Sequence, residues 1–251
     1  VRRDNMRRTI DILGVKIDSI TMKQAIDKIN GFITEGGLHA VYTPNSEIVM
    51  AAQRDPELKD ILNNGDMVVP DGAGILLAGK ILGEKFPEKV SGVDLVKEIF
   101  KQANSKREIS FFLLGAEPGI AERACINVLN SHKYVKIAGY HHGYFNPEEE
   151  EQIIKSINES QCDILLVALG APKQEKWIAT HRDKLNVKVC IGVGGTFDIL
   201  AGKSKLAPEY IRRMGLEWLY RLIQEPRRYK RMLDLPRFVV RVIKKKLLKS
   251  S

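Results

Sequence analysis

Residues 163–193 read DILLVALGAPKQEKWIATHRDKLNVKVCIGV. The two apolar runs at its ends, 163–169 and 187–193, show no polar alternation in their centres, the pattern of strands covered on both faces. Between them, 173–184 (KQEKWIATHRDK) has helical periodicity. Two strands joined by one helix pair in parallel through a right-handed crossover, which lays the helix on a face of the sheet. Toward the N-terminus the alternation continues, with strands at 109–114 (ISFFLL) and 135–140 (VKIAGY) and helices at 119–131 and 147–159. The last of these opens with Pro147 and a run of acids, which suits a helix N-terminus. Farther out, 39–43 (HAVYT) and 67–69 (MVV) read as strands and 9–17 (TIDILGVKI) as one more. A Thr-capped helix runs from Thr21 to Ile33, and another covers 94–104. The expected fold is α/β: a Rossmann-like, mostly parallel sheet with helices on both faces over residues 1–207, followed by a helical basic appendage over 208–251.

A chain of 251 residues, 44% hydrophobic and 28% charged, is long enough for a real core and has the composition of a globular protein. No apolar run approaches the ~18–20 residues of a membrane-spanning helix. The opening residues, Val1 to Arg8, lead into no apolar core of a secretory signal, so a cytosolic protein is expected. Cys125, Cys162 and Cys190 each sit in an apolar stretch and read as buried, reduced thiols. The net charge of +9 is unevenly placed: residues 1–207 hold 27 basic and 27 acidic side chains, and 208–251 hold 13 and 4. A neutral body with a basic tail points to a tail that docks on something anionic.

Ligands of open α/β sheets sit beyond the carboxyl ends of the strands, so the residues just after each strand carry the functional signal. Thr43-Pro44-Asn45-Ser46-Glu47 is a polar cluster there, with Asn45 or Ser46 as an ordinary helix cap the alternative. Asp71 follows a short strand and precedes Gly72 and Gly74. The glycines permit close backbone approach, and the carboxylate is either a base in the crevice or a cap for the next helix. Lys173 and Gln174 open a helix after a buried strand, where amides and a cation suit a phosphate. The turn Gly194-Gly195-Thr196-Phe197-Asp198 follows the next strand, with Phe197 either stacking on a nucleotide base or belonging to the core.

Other chemistries lack their residues. The sequence holds no Walker phosphate loop, no GxSxG elbow, no CxxC, no HExxH or HxxxH and no D-x-D, so neither a metal site nor a cofactor is expected. A dehydrogenase using Gly72 and Gly74 would lack the third glycine, since position 77 is Leu.

In order along the chain, TPNSE (43–47), VVPDGAGIL (68–76), KVSGVDL (89–95), LGAPKQEKW (169–177) and GVGGTFDILAGKSKLAPEYIRRMGLEWLYRL (192–222) with EPRR (225–228) resemble the WecG/TagA/CpsF family of bacterial glycosyltransferases. The resemblance runs from about residue 10 to residue 232. It implies a Rossmann-like fold and inverting transfer of a sugar, N-acetylmannosamine in the most similar members, from its UDP donor to the 4-hydroxyl of N-acetylglucosamine on undecaprenyl diphosphate. Asp71 is then the expected general base and Thr43 its partner. Asn45, Gly72, Gly74, Gln174, Gly194, Gly195, Thr196, Phe197 and Asp198 fall in the donor-site motifs, with Lys173 as a candidate for the leaving diphosphate. Lys89, in EKVSG, keeps a cation at an expected phosphate position where many members would carry arginine, without arginine's planar fork.

Ala207 to Met232 reads as helix broken at Pro226, and a second amphipathic helix starts at Pro236. Leu235, Phe238, Val239, Val242 and Ile243 cluster on one side of it, with Arg237 and Arg241 elsewhere, as in helices lying in an anionic membrane interface. A solvated basic helix capping the domain is the alternative. Arg212, Arg213, Arg221, Arg227 and Arg228 precede it and are candidates for closing on a diphosphate at the membrane. A nucleic-acid partner is disfavoured, because the tail interleaves branched aliphatics with its cations and offers few stacking aromatics. A peripheral protein on the inner face of the cell membrane is expected, with a homo-oligomer left open.

Overall fold

A computed structural model describes residues 7–105, 108–226 and 229–249. The chain opens with a hairpin, β1 (Thr9–Ile12) and β2 (Val15–Asp18), where the sequence suggested one strand. Leu13 and Gly14 take positive φ of 54° and 85°, and the Asp11 carboxylate accepts the Gly14 N–H at 2.7 Å, so the chain reverses inside an apolar run. Then come α1 (Met22–Thr34), held by a reciprocal capping box between Thr21 and Gln24, β3 (His39–Tyr42), α2 (Ser46–Ala52), α3 (Pro56–Asn63), β4 (Met67–Val68), α4 (Ala73–Leu82) and α5 (Gly92–Gln102). The second half alternates strictly: β5 (Ile109–Gly115), α6 (Ile120–Ser131), β6 (Val135–His141), α7 (Pro147–Glu159), β7 (Ile164–Ala168), α8 (Lys173–His181), β8 (Val189–Gly192) and α9 (Thr196–Leu200).

Six strands form one parallel sheet in the order β4-β3-β8-β7-β5-β6. Successive side chains point to opposite faces, and each face carries its own core. Tyr42, Phe112, Leu114, Leu165, Val167 and Cys190 pack with α2, α3, α4, α7 and α8. Val41, Phe111, Leu113, Leu166 and Ile191 pack with α1, α5, α6 and α9. The connection from β5 runs outward to β6 while that from β7 runs the other way to β8, so α6 and α8 lie on opposite faces and a crevice opens above β5 and β7. Cys125, Cys162 and Cys190 are buried free thiols, and burial pushes Cys162 up to about 11.

The C-terminal segment differs from the two long helices expected. It forms α10 (Glu209–Arg213), α11 (Glu217–Gln224), α12 (Tyr229–Met232) and α13 (Asp234–Lys249), with a break at Gly215, φ 73°, in addition to the one near Pro226. Phe238 and Val242 of α13 are fully buried in the core between α2 and α4, with Val239 packed beside them. Two such side chains contribute about 1.5–3 kcal/mol each. A bidentate pair from Arg54, at 2.8 and 3.1 Å, fastens Asp234 at the start of this helix. The apolar side expected to meet the membrane therefore faces the body. Of the side chains expected there, Ile243 alone is exposed, and with Val240 and Leu247 it forms an exposed stripe of α13, with Leu233 and Leu248 also exposed.

Candidate active site

A cleft of about 1420 Å³ lies over the carboxyl ends of β5, β6, β7 and β8. Its walls are the segments that follow those strands: Ala116 and Glu117, Gly143 to Asn146, Leu169 and Gly170 with Lys173, and Gly194 and Gly195 with Asp198. Lys203, Lys205, Arg221 and Gln224 close the far side. The cleft is lined by charges of both signs, Lys173, Lys203, Lys205 and Arg221 alongside Glu117, Glu149, Asp198 and Glu225. Lys173 stands 5.2 Å over the Phe145 ring, and Lys203 bridges Glu117 at 2.7 Å and Asp198 at 3.4 Å across the opening. Tyr144 presents an aromatic ring that is 66% exposed on the rim.

The same edge of the sheet continues to β3 and β4, where Thr43 and Asp71 follow the strands. Asp71 does not cap α4. Gly72 occupies that position with φ 86°, a conformation that favours glycine, and no side chain caps the helix. The Asp71 carboxylate instead accepts the Gly92 N–H at 3.4 Å. Thr43 is buried, donates to the Gly192 carbonyl at 3.0 Å and packs so closely on Gly92 that a Cβ there would stand 3.1 Å from its hydroxyl. Thr43, Gly92 and Asp71 therefore form one contact chain. Burial pushes the Asp71 carboxyl up to about 6, while the charges of Arg221 and Lys89 pull it down and that of Glu217 pushes it up. Arg221 thus both lines the cleft and bears on Asp71, joining the two parts of the site.

Several residues expected to touch a ligand hold the walls instead. Gln174 is buried, accepts the Gly194 N–H at 3.0 Å and donates to Glu175 at 2.9 Å, so it braces the glycine turn from beneath. Phe197 is fully buried in the core, which settles its two readings against base stacking. Thr196 is buried with its hydroxyl on the Val193 carbonyl at 2.6 Å. Asn45 caps α2, accepting from Ile48 at 3.1 Å, while its Cβ flanks Gly72. Gly74 faces Ser46 and Phe238, and its missing Cβ serves helix packing. Lys89 is not free for a phosphate: it pairs with Glu217 at 2.5 Å.

Among the tail arginines, Arg212 is tied to Asp94 and Glu217, and Arg213 to Glu209. Arg237 and Arg241 are exposed on α13, and Arg227 and Arg228 lie outside the described residues. Sequence reasoning missed Glu117 and Tyr144, although each follows a strand and the rule that found Asp71 applies to them equally. Among the described residues no group of three His, Cys, Asp or Glu side chains is placed to hold a metal ion, and no helix is long and apolar enough to cross a membrane.

The family model for Glycosyl transferase WecG/TagA/CpsF family matches residues 10–251. Among curated relatives, the N-acetylglucosaminyldiphosphoundecaprenol N-acetyl-beta-D-mannosaminyltransferase of Bacillus subtilis (strain 168) is 35% identical over 84% of this chain and 81% of its own length. The protein of the same name from Staphylococcus aureus (strain MRSA252) is 33% identical over 94% and 93%, and that of strain MW2 is 32% identical over the same shares. The order of the strand-end motifs and this likeness over nearly the whole length agree that the chain belongs to the WecG/TagA/CpsF family of glycosyltransferases.

Proposed function

We propose that this chain is an inverting transferase that moves N-acetylmannosamine from UDP-N-acetylmannosamine to the 4-hydroxyl of N-acetylglucosamine on undecaprenyl diphosphate, forming the wall teichoic acid linkage unit at the inner membrane surface. The observation that carries the reading is Asp71: a carboxyl raised to about 6, at the same edge of the sheet as the charge-lined cleft, which it does not itself line and to which the charge of Arg221 connects it. A group poised near the working pH is suited to general-base catalysis. Inversion needs one such base on the side of the sugar opposite the leaving group. The Asp71 carboxylate takes the proton from the acceptor hydroxyl as its oxygen attacks the anomeric carbon, and UDP departs with the bonding pair. Charge growing on the diphosphate is met by Arg221 and Lys173 and by the Gly195 amide in the turn. The exposed Tyr144 ring offers a stacking face for the base.

The membrane part rests on α13 and the elements before it. Val240, Ile243 and Leu247 form an exposed apolar stripe beside Arg237, Arg241 and Lys244, the arrangement of an interfacial helix on anionic lipid. Incubation with a short-chain N-acetylglucosaminyl-diphospholipid and a panel of UDP-sugars tests the proposal. Formation of a β-1,4-linked N-acetylmannosamine product supports it. Transfer only of glucose or N-acetylmannosaminuronic acid would replace the donor, and no transfer of any sugar would remove the reading.

A further inference from the structure

Lys89, a cation that bears on Asp71, and Arg212 behind it converge on one carboxylate that comes from the C-terminal segment. Glu217, at the first position of α11, accepts Lys89 Nζ at 2.5 Å and Arg212 Nε at 3.0 Å on the same oxygen. Arg212 continues to Asp94, and Asp94 accepts the Ser91 hydroxyl at 2.5 Å. Ser91 caps α5, whose first residue, Gly92, donates to Asp71. Val90 N–H donates to the Pro70 carbonyl at 2.9 Å, which sets Lys89 alongside Asp71. These contacts run from Asp71 around to Lys89, with the tail supplying Arg212 and Glu217. The charged groups facing Asp71 are Lys89 from the loop before α5 and Arg221 and Glu217 from α11, with Arg212 and Asp94 behind them.

We propose that Glu217 is a positioning residue that offsets the charge of Lys89 and Arg212 at the edge of the site and so keeps Asp71 a competent base. An uncompensated ammonium beside a carboxylate favours its ionised form and weakens it as a proton acceptor. With Glu217 in place, Lys89 retains its position while much of its field is cancelled. The burial that raises Asp71 then prevails over the nearby cations, in agreement with the direction of its shift. The inference rests on Asp71 being the base. It adds that the C-terminal segment sets the strength of that base as well as covering the site.

The test is the pH dependence of kcat/KM on a soluble acceptor for the full-length protein and three variants. Glu217→Gln moves the acid limb to lower pH by on the order of one pH unit. Lys89→Met, which removes the opposing charge, moves it to higher pH, and the double variant returns it toward the wild-type position. Glu217→Asp, keeping the charge, stays nearer wild type than Glu217→Gln. A uniform loss of rate with the limb in place in both single variants would make Glu217 a strut only and overturn the proposal. If Glu217→Gln folds poorly because it strands Lys89, the limb of the double variant against that of Lys89→Met reads the charge of Glu217 instead. Asp71→Asn separates the two claims: near-normal turnover in that variant removes Asp71 as base, whereas an inactive Asp71→Asn with an unmoved limb in the other variants removes the role of Glu217 alone.

Discussion

The α/β body and the C-terminal segment handle their hydrophobic side chains in opposite ways. In the body, both faces of the sheet are covered, and the exposed large hydrophobics reduce to scattered ones such as Leu77, Ile126 and Leu129. In the segment after residue 207, Tyr210, Met214, Trp218, Ile223, Tyr229, Leu233, Val240, Ile243, Leu247 and Leu248 are all exposed, among cations that outnumber acids by 13 to 4. Yet the same segment inserts Phe238 and Val242 into the body and brings Glu217 and Arg221 to bear on Asp71, with Arg212 tied to Glu217. One face of the segment is therefore part of the enzyme, and the other has the composition of a surface that meets lipid.

The comparison breaks most readily at Phe238. Replacement by Ala leaves a cavity between α2 and α4 and should cost about 3–5 kcal/mol, read as a fall in the denaturant midpoint. An unchanged midpoint would mean that α13 is not docked on the body. Arg221→Met should leave the midpoint where it is and lower turnover on the order of 100-fold, the scale for removing one group that meets charge in a transition state. Equal turnover would place the leaving diphosphate elsewhere. Val240→Glu combined with Leu247→Glu should reduce pelleting with anionic liposomes about tenfold or more while turnover on a soluble acceptor is kept, and attachment of the parent protein should weaken with salt. Full retention on liposomes would deny this stripe its role. The smallest effect is expected from EDTA, because the sequence has no D-x-D and Lys173 and Arg221 in the cleft can meet the diphosphate instead. Activity lost on chelation and restored by Mn²⁺ or Mg²⁺ would contradict that expectation.

The sheet was legible because its central strands are continuous apolar runs, whose ends the structure moves by a residue or two at β5, β6 and β7. The hairpin at Leu13-Gly14 was hidden because its turn lies inside an equally apolar run. The positions of Asp71 and of the glycine turn at 194–195 just after their strands were legible. Which way a polar side chain points was not. Gln174 finds the Gly194 N–H only once β7 and β8 are paired, and Phe197 turns inward because α9 packs with α1, α5 and α6 on one face of the sheet. Glu217 has a local partner in Arg212, but its tie to the site was hidden because Lys89 lies 128 residues away. The periodicity of α13 was read correctly as amphipathic, but the face was assigned to lipid when the body claims it.

The most direct test of the whole account is Asp71→Asn, assayed for turnover, UDP binding and thermal midpoint together. Burial raises the native carboxyl from its ordinary value to about 6, so the folded protein holds this proton more tightly than the unfolded chain does. Asp71 therefore costs stability as pH rises from about 4 through about 6. The isosteric amide should raise the midpoint above pH 7, keep UDP binding, and lower turnover at least ~100-fold. In the parent protein, kcat/KM should fall as pH drops below about 6, where the base becomes protonated. Near-normal turnover in Asp71→Asn, whatever its midpoint, would contradict the assignment of Asp71 as the base.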